Sequence, residues 1–107
     1  TLVPFTQTGQ TALHLAVSQR HAVIVSVLLG YPADVNARTK GGWPPLHTAA
    51  FFNAGAPIIL ELLAHKADVT AIDTVGRTVL HVIIESEKYK SESEAVEWLR
   101  FWVDHGA

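Results

Sequence analysis

Apolar and polar positions follow a helical rhythm along the chain, in short blocks. Leu13, Ala16 and Val17 stand three and four residues apart, and Leu80, Ile83 and Ile84 repeat that spacing, which lines one face of an α-helix. Thr11 and Thr78 precede these blocks as candidate N-caps. A turn and a second helical segment follow each block, predicted over Val23–Leu29, Ile58–Ala64 and Ala95–Val103. Pro57 suits the first turn of the middle segment, and Ser91 and Glu94 have capping-box spacing before the last. The links "ADVNARTKGG" and "ADVTAIDTVG" are polar and end in glycine.

The blocks are copies of one another. "GQTALHLAV" starts at Gly9, "GWPPLHTAA" at Gly42 and "GRTVLHVII" at Gly76, so the glycines stand 33 and 34 residues apart. His14, His47 and His81 keep the same intervals. A second block recurs in step: "VLLGYPADVNA", "ELLAHKADVTA" and, at the end, "FWVDHGA".

These residues resemble the ankyrin repeat family, in both the period and the Gly-x-Thr-Pro-Leu-His-x-Ala signature. The likeness covers nearly the whole chain as three units, about 6–38, 39–72 and 73–107, in one domain spanning 1–107. It implies an all-α solenoid of stacked helix-turn-helix units, with the links as β-hairpin-like fingers at right angles to the helices. A single unit cannot bury its own faces, so neighbour stacking should carry the stability. Four departures stand out. Pro44 replaces the capping threonine of the middle unit, which is one residue longer at "NAGA". The segment "SEKYKSES" lengthens the third unit and predicts an exposed loop. Ile83 and Ile84 replace the small residues that let neighbouring first helices approach, which disturbs regular packing there.

Composition narrows the function classes. The chain is 49% hydrophobic with a mean hydropathy of +0.22, high for a free-standing soluble domain, which points to apolar surface that meets something else. No apolar run reaches membrane-span length, because Gly30 and Pro32 break the longest. The N-terminal "TLVPFTQTGQ" lacks the features of a signal peptide, and the absence of Met points to a processed or excised chain. Cysteine is absent, which removes thiol chemistry and fits an intracellular setting, cytoplasm or nucleus. The net charge of -2 gives no broad footprint for nucleic acid, and Arg38, Lys40 and Arg77 offer only a few phosphate contacts.

No catalytic, metal or cofactor site is expected. Equivalent histidines in a solenoid sit about a helix diameter apart, roughly 10 Å, too far to share one zinc ion. The resemblance makes them structural, tying each helix start to neighbouring backbone. His14 and His81 should be buried against Thr11 and Thr78 or backbone, while His47, lacking that hydroxyl, should meet a finger carbonyl or water. His21, His65 and His105 fall near helix ends, where surface or capping roles are expected. The acids Glu85, Glu87, Glu92, Glu94 and Glu97 are mixed with Lys88 and Lys90 and read as a solvated face rather than an acid–base pair. No nucleophile elbow or phosphate loop is present in the sequence.

The resemblance implies a non-enzymatic protein-binding module, or else a structural link within a longer repeat array. The residues that favour binding are aromatic. Trp43, Phe51 and Phe52 have the counterparts Gln10, Ser18 and Gln19 in the first unit and Arg77, Glu85 and Ser86 in the third. A core position would stay apolar, as Leu13, Leu46 and Leu80 do. The trio is therefore not expected in the core; the resemblance implies that it lies on the concave face, extended by Ile72 and Val75 and rimmed by Arg38, Lys40 and Arg77. That surface fits a protein partner with an apolar anchor flanked by acidic residues. The alternative turns Phe52 inward beneath "NAGA".

Two further expectations concern other parts of the chain. Asn36 resembles the finger asparagine that an oxygen-sensing hydroxylase modifies in many ankyrin repeats; alternatively, its amide simply holds the hairpin turn. Terminal units need a polar outer face, yet the last helix carries Trp98, Leu99, Phe101, Trp102 and Val103, and the first unit opens on "LVPF". The chain is therefore expected to be a slice of a longer array or to self-associate through its ends, unless Trp98 and Trp102 fold back onto their own unit.

Overall fold

In a computed structural model, residues 11–31 and 34–107 are described. "LVPF" and the start of the first unit lie outside them. Six helices follow in order: α1 (Ala12–Ser18), α2 (Ala22–Leu29), α3 (Pro45–Phe52), α4 (Ala56–Ala64), α5 (Val79–Glu85) and α6 (Glu92–Asp104), with no strand among the described residues. The first helices α1, α3 and α5 pack side by side, α2 and α4 form a second layer, and α6 packs on α5. All but α6 have seven to nine residues, too short to persist alone, so packing must hold them.

The core runs through the interface between the layers. Leu13, Val17, Val25, Leu46, Ile59, Leu62, Val82 and Ile83 are buried, each contributing about 1.5–3 kcal/mol through removal from water. Trp102 is fully buried, so the last helix does fold back onto its own unit at that residue, although Ile84 and Val103 stay exposed. The third unit accommodates its isoleucines by dividing them: Ile83 enters the core at 1% exposure while Ile84 remains 71% exposed.

The extra residue of the middle unit lies where the sequence puts it. Arg20 and Asn53 take the same left-handed conformation after α1 and α3, and α4 then starts one residue later than α2 does. The helix α6 begins earlier than its apolar pattern suggests, because the Ser91 hydroxyl accepts the Glu94 amide at 3.1 Å and opens the helix at Glu92. The Glu94 carboxylate reaches back to the Lys90 amide at 2.8 Å. The preceding loop is not wholly exposed. Ser86 donates to the carbonyl of Phe51, and the Tyr89 hydroxyl donates to that of Ala50 at 2.5 Å. Both acceptors are C-terminal carbonyls of α3, which lack partners within their own helix. Burial pushes the Tyr89 phenol above its ordinary pKa.

The links form hairpins closed between Thr39 and Trp43 and between Asp73 and Arg77. In each, the amide of Gly42 or Gly76 bonds back three residues, and the glycine takes a left-handed φ of 82° or 86°. This is a type I turn followed by a left-handed glycine. A Cβ on Gly42 would lie 2.8 Å from the Thr74 amide nitrogen, so the next finger packs where only glycine leaves room. Thr74 donates through both its amide and its hydroxyl to the Gly41 carbonyl, each at 3.0 Å.

The histidines join unit to unit. The Thr11 amide donates to His14 Nδ1 at 3.2 Å, so Nε2 carries the proton and donates to the Trp43 carbonyl at 2.8 Å. His47 Nε2 likewise meets the Arg77 carbonyl at 2.8 Å, the finger contact expected of it, while its Nδ1 has no partner among the described residues, since Pro44 carries no amide hydrogen. His81 departs from the expectation. Its Nδ1 pairs with Thr78, but the ring is exposed and bonds to no finger carbonyl among the described residues.

Burial holds the pKa of His14 and His47 below the ordinary imidazole value of about 6.5, only partly offset by their backbone bonds. A depressed histidine pKa gives stability that is complete above the unfolded value and lost as pH falls below it. Urea unfolding should therefore show a lower midpoint at about pH 5 than at about pH 7, before the carboxylates titrate.

Candidate functional site

Trp43 leaves the first finger at its base, and Phe51 and Phe52 end α3. The three rings form a row, with centroids 5.4 Å apart for Trp43–Phe51 and 5.0 Å for Phe51–Phe52. Tilted and edge-on arrangements of this kind favour aromatic pairs. All three residues are half-buried, so the row is a wall with one open side.

The next unit builds the same wall from charge. Arg77 and Glu85 occupy the positions of Trp43 and Phe51, and Arg77 Nη1 meets Glu85 Oε1 at 2.6 Å. The Arg77 guanidinium also lies 5.8 Å from the Trp43 ring centroid, within cation–π range. Aromatic row and ion pair are therefore continuous.

Asp73 joins them. Its side chain is 0% exposed, and its two oxygens accept four donors: the amides of Val75 (3.0 Å) and Arg77 (2.8 Å), Trp43 Nε1 (2.9 Å) and Arg77 Nε (2.8 Å). Burial alone would raise this carboxyl's pKa, but the bonds from Arg77, Trp43 and Val75 outweigh it and bring the value to about 2. The Asp73 carboxylate and then that of Glu85, by accepting from the guanidinium, raise the Arg77 pKa.

The expected rim is differently employed. Arg38 Nη1 donates to the carbonyls of Gly42 (2.9 Å) and Ile72 (2.6 Å), stapling one finger to the next. Arg77 is committed to Asp73 and Glu85, so it is a bonded wall residue rather than a free cation. Lys40 is exposed at the tip of the first finger. Ile72 and Val75 are 53% and 70% exposed on the second finger. Phe52 meets Phe51 edge-on and is half-buried rather than fully buried.

Among the described residues no cluster of histidines and acids could hold a metal ion, and no helix is long and apolar enough to cross a membrane. The sequence matches the family model described as ankyrin repeats, three copies, over residues 2–73. The chain belongs to the ankyrin-repeat family. It is 38% identical over 86 residues to an ankyrin repeat protein of fowlpox virus (strain NVSL), covering 77% of this chain and 25% of that one. It is also 40% and 39% identical, over 93 residues each, to the transient receptor potential cation channel subfamily V member 1 of Cavia porcellus and of Oryctolagus cuniculus. Those alignments cover 72% of this chain and 11% of the channels, so the chain spans only a fraction of these relatives. The ankyrin match ends at residue 73, at the boundary of the third helix pair with its lengthened loop and 13-residue helix.

In this ankyrin stack Asn36 does not close its own turn. That role falls to Asp34, whose carboxylate accepts the Asn36 amide at 2.9 Å. The Asn36 side chain crosses to the next unit, accepting from the Asp68 amide at 2.8 Å and donating to the Lys66 carbonyl at 3.3 Å. Asp73, the organiser of the wall, was not singled out by the sequence. The available signal was "DTVG", an acid opening a tight turn that ends in glycine.

Asp73→Asn should cost about 2 kcal/mol or more in chemical unfolding, because an amide nitrogen then faces donors that need an acceptor. A carboxyl depressed to about 2 contributes stability that is complete above about pH 4 and is lost as pH falls through 2. The variant should therefore lose part of the wild-type decline in stability over that acidic range. Trp43→Phe should also destabilise, since it removes one of the four donors.

Proposed function

We propose that the chain is a non-enzymatic module that binds a protein partner across the face lined by Trp43, Phe51 and Phe52. Ankyrin repeats are a family of protein–protein interaction modules. The observation that carries the finer reading is the half-exposed aromatic row, at positions where the neighbouring units carry Ser18, Gln19, Arg77, Glu85 and Ser86. Aromatic residues held rigidly in a central patch are typical anchors of binding energy. Trp43 serves as a positioned platform through its bond to Asp73, and Phe51 and Phe52 offer the open contact area.

The partner we infer presents an apolar anchor to these rings with acidic groups beside it. Lys40 and Arg38 supply the positive charge on the finger side, while Arg77 contributes through its stack on Trp43. Ile72 and Val75 extend the apolar contact along the second finger. An interior setting, cytoplasm or nucleus, suits this cysteine-free chain. A second reading, a structural link in a longer array, draws on the exposed Ile84 and His81 of the last unit.

Peptides selected from a displayed random library against the wild-type chain test the first reading. Phe51→Ala should weaken them at least about tenfold, or 1.4 kcal/mol, with the helical circular dichroism preserved. Val27→Ala, on the exposed surface of α2, should leave binding unchanged. Binders indifferent to Phe51→Ala would overturn the proposal and favour the structural link.

A further inference from the structure

The two segments that lengthen the repeat, "NAGA" in the middle unit and "SEKYKSES" in the third, meet at the carboxyl end of α3. The first unit closes its own helix at the matching point. The carbonyls of Ala16 and Val17 accept the amides of His21 and Arg20, each at 3.0 Å. In the middle unit the Ala49 carbonyl accepts the Ala54 amide at 3.0 Å. Among the described residues, however, no backbone amide from beyond the helix reaches the carbonyl of Ala50 or Phe51. Hydroxyls of the next unit take that place. Tyr89 donates to Ala50 at 2.5 Å, and Ser86 donates to Phe51.

The loop that carries these hydroxyls is braced in turn. The Ser86 hydroxyl accepts the Lys88 amide at 3.1 Å, and the Tyr89 ring packs against the core. The Glu94 carboxylate accepts the Lys90 amide at 2.8 Å and the Asn53 side-chain amide at 3.4 Å. What the loop holds is the edge of the aromatic row, since Phe51 and Phe52 are the last two residues of α3. A last turn whose carbonyls lack partners frays, and fraying would carry both rings out of line. Trp43, at the other end of the row, is fixed by Asp73. The first unit has only Ser18 and Gln19 at the positions of Phe51 and Phe52, and there Arg20 and His21 lead straight into α2.

We infer that Tyr89 and Ser86 are positioning residues for partner binding, which act by holding the last turn of α3 so that Phe51 and Phe52 stand ready beside Trp43. This rests on the partner reading above. Tyr89 spends its hydroxyl on a helix carbonyl, so it acts through α3 and not on the partner. A preformed surface avoids the cost of being ordered on binding. A wall with a frayed edge binds only in proportion to the fraction of time it is formed.

The peptides selected from the displayed library against the wild-type chain serve as the probe. Tyr89→Phe keeps the ring and removes only the hydroxyl. Tyr89→Phe and Ser86→Ala should each weaken the peptides, and together by at least about fivefold. Ser86→Thr keeps the donor and should bind as the wild type does. Hydrogen exchange at the Phe51 and Phe52 amides should quicken in Tyr89→Phe and Ser86→Ala and stay unchanged at the amides of α1. Ile59→Val, in the core of α4, controls for lost stability; it should lower the urea midpoint and leave the peptides' affinity unchanged. Circular dichroism checks each fold, and the single variants carry the test if the double variant does not fold. Peptides that are lost with Phe51→Ala but bind the clasp variants as tightly as the wild type overturn the inference and leave the partner reading standing. Unchanged exchange at Phe51 and Phe52 overturns it too, as does an equal loss of affinity in Ile59→Val. Peptides indifferent to Phe51→Ala remove the partner reading, and this inference with it.

Discussion

Each unit is hung on the one before it by a hydrogen bond from a buried, neutral imidazole to a backbone carbonyl. The two acceptors are Trp43 and Arg77, the residues whose side chains form the wall of the candidate site. The stacking bond and the candidate surface therefore share a residue at each step. Where the carbonyl is held, the side chain on the same residue is aimed. The bond also requires neutrality. A proton on His14 Nδ1 would place two donors face to face at the Thr11 amide.

Around that bond the fingers are locked by contacts that cross from one to the next. Ile72 accepts Arg38, Gly42 admits Thr74 at close range, Gly41 accepts Thr74 twice, and Asn36 bridges to Lys66 and Asp68. Asp73 then fixes the side chains of both Trp43 and Arg77 from within the second finger. A buried carboxylate is costly unless it is paired and fully hydrogen-bonded. Here four donors converge on it, and the cost is offset by the order it imposes on the wall.

The repeat period, the helix pairs and the two covered histidines were legible because each recurs, and recurrence separates signal from chance. The inserted residue near Gly55 and the Ser91 cap were legible for the same reason, as departures from a fixed frame. Asp73 was not, because the fold asks that position only for a side-chain oxygen. Thr39 meets the request in the preceding finger, bonding the Trp43 amide at 3.2 Å. The added charge becomes meaningful only once Trp43 and Arg77 are seen to converge on it. Arg38 and Arg77 read as free side chains for a related reason: a sequence shows charge, and only the fold shows which carbonyls and carboxylates occupy its donors. The exposure of His81 and Ile84 was hidden because the motif is identical whether or not a neighbour covers it.

The substitution of an aromatic pair by an ion pair, at matched places in adjacent units, gives the wall two unlike halves. Apolar contact between Trp43 and Phe51 is strengthened by excluded salts such as sulfate and is indifferent to dilute electrolyte. The bond between Arg77 and the half-exposed Glu85 is screened as ions are added. Rising ionic strength thus loosens one panel of the surface and leaves the other taut. The wall is not a uniform plate but a joint between a salt-tolerant segment and a salt-responsive one, with the buried Asp73 as its pin.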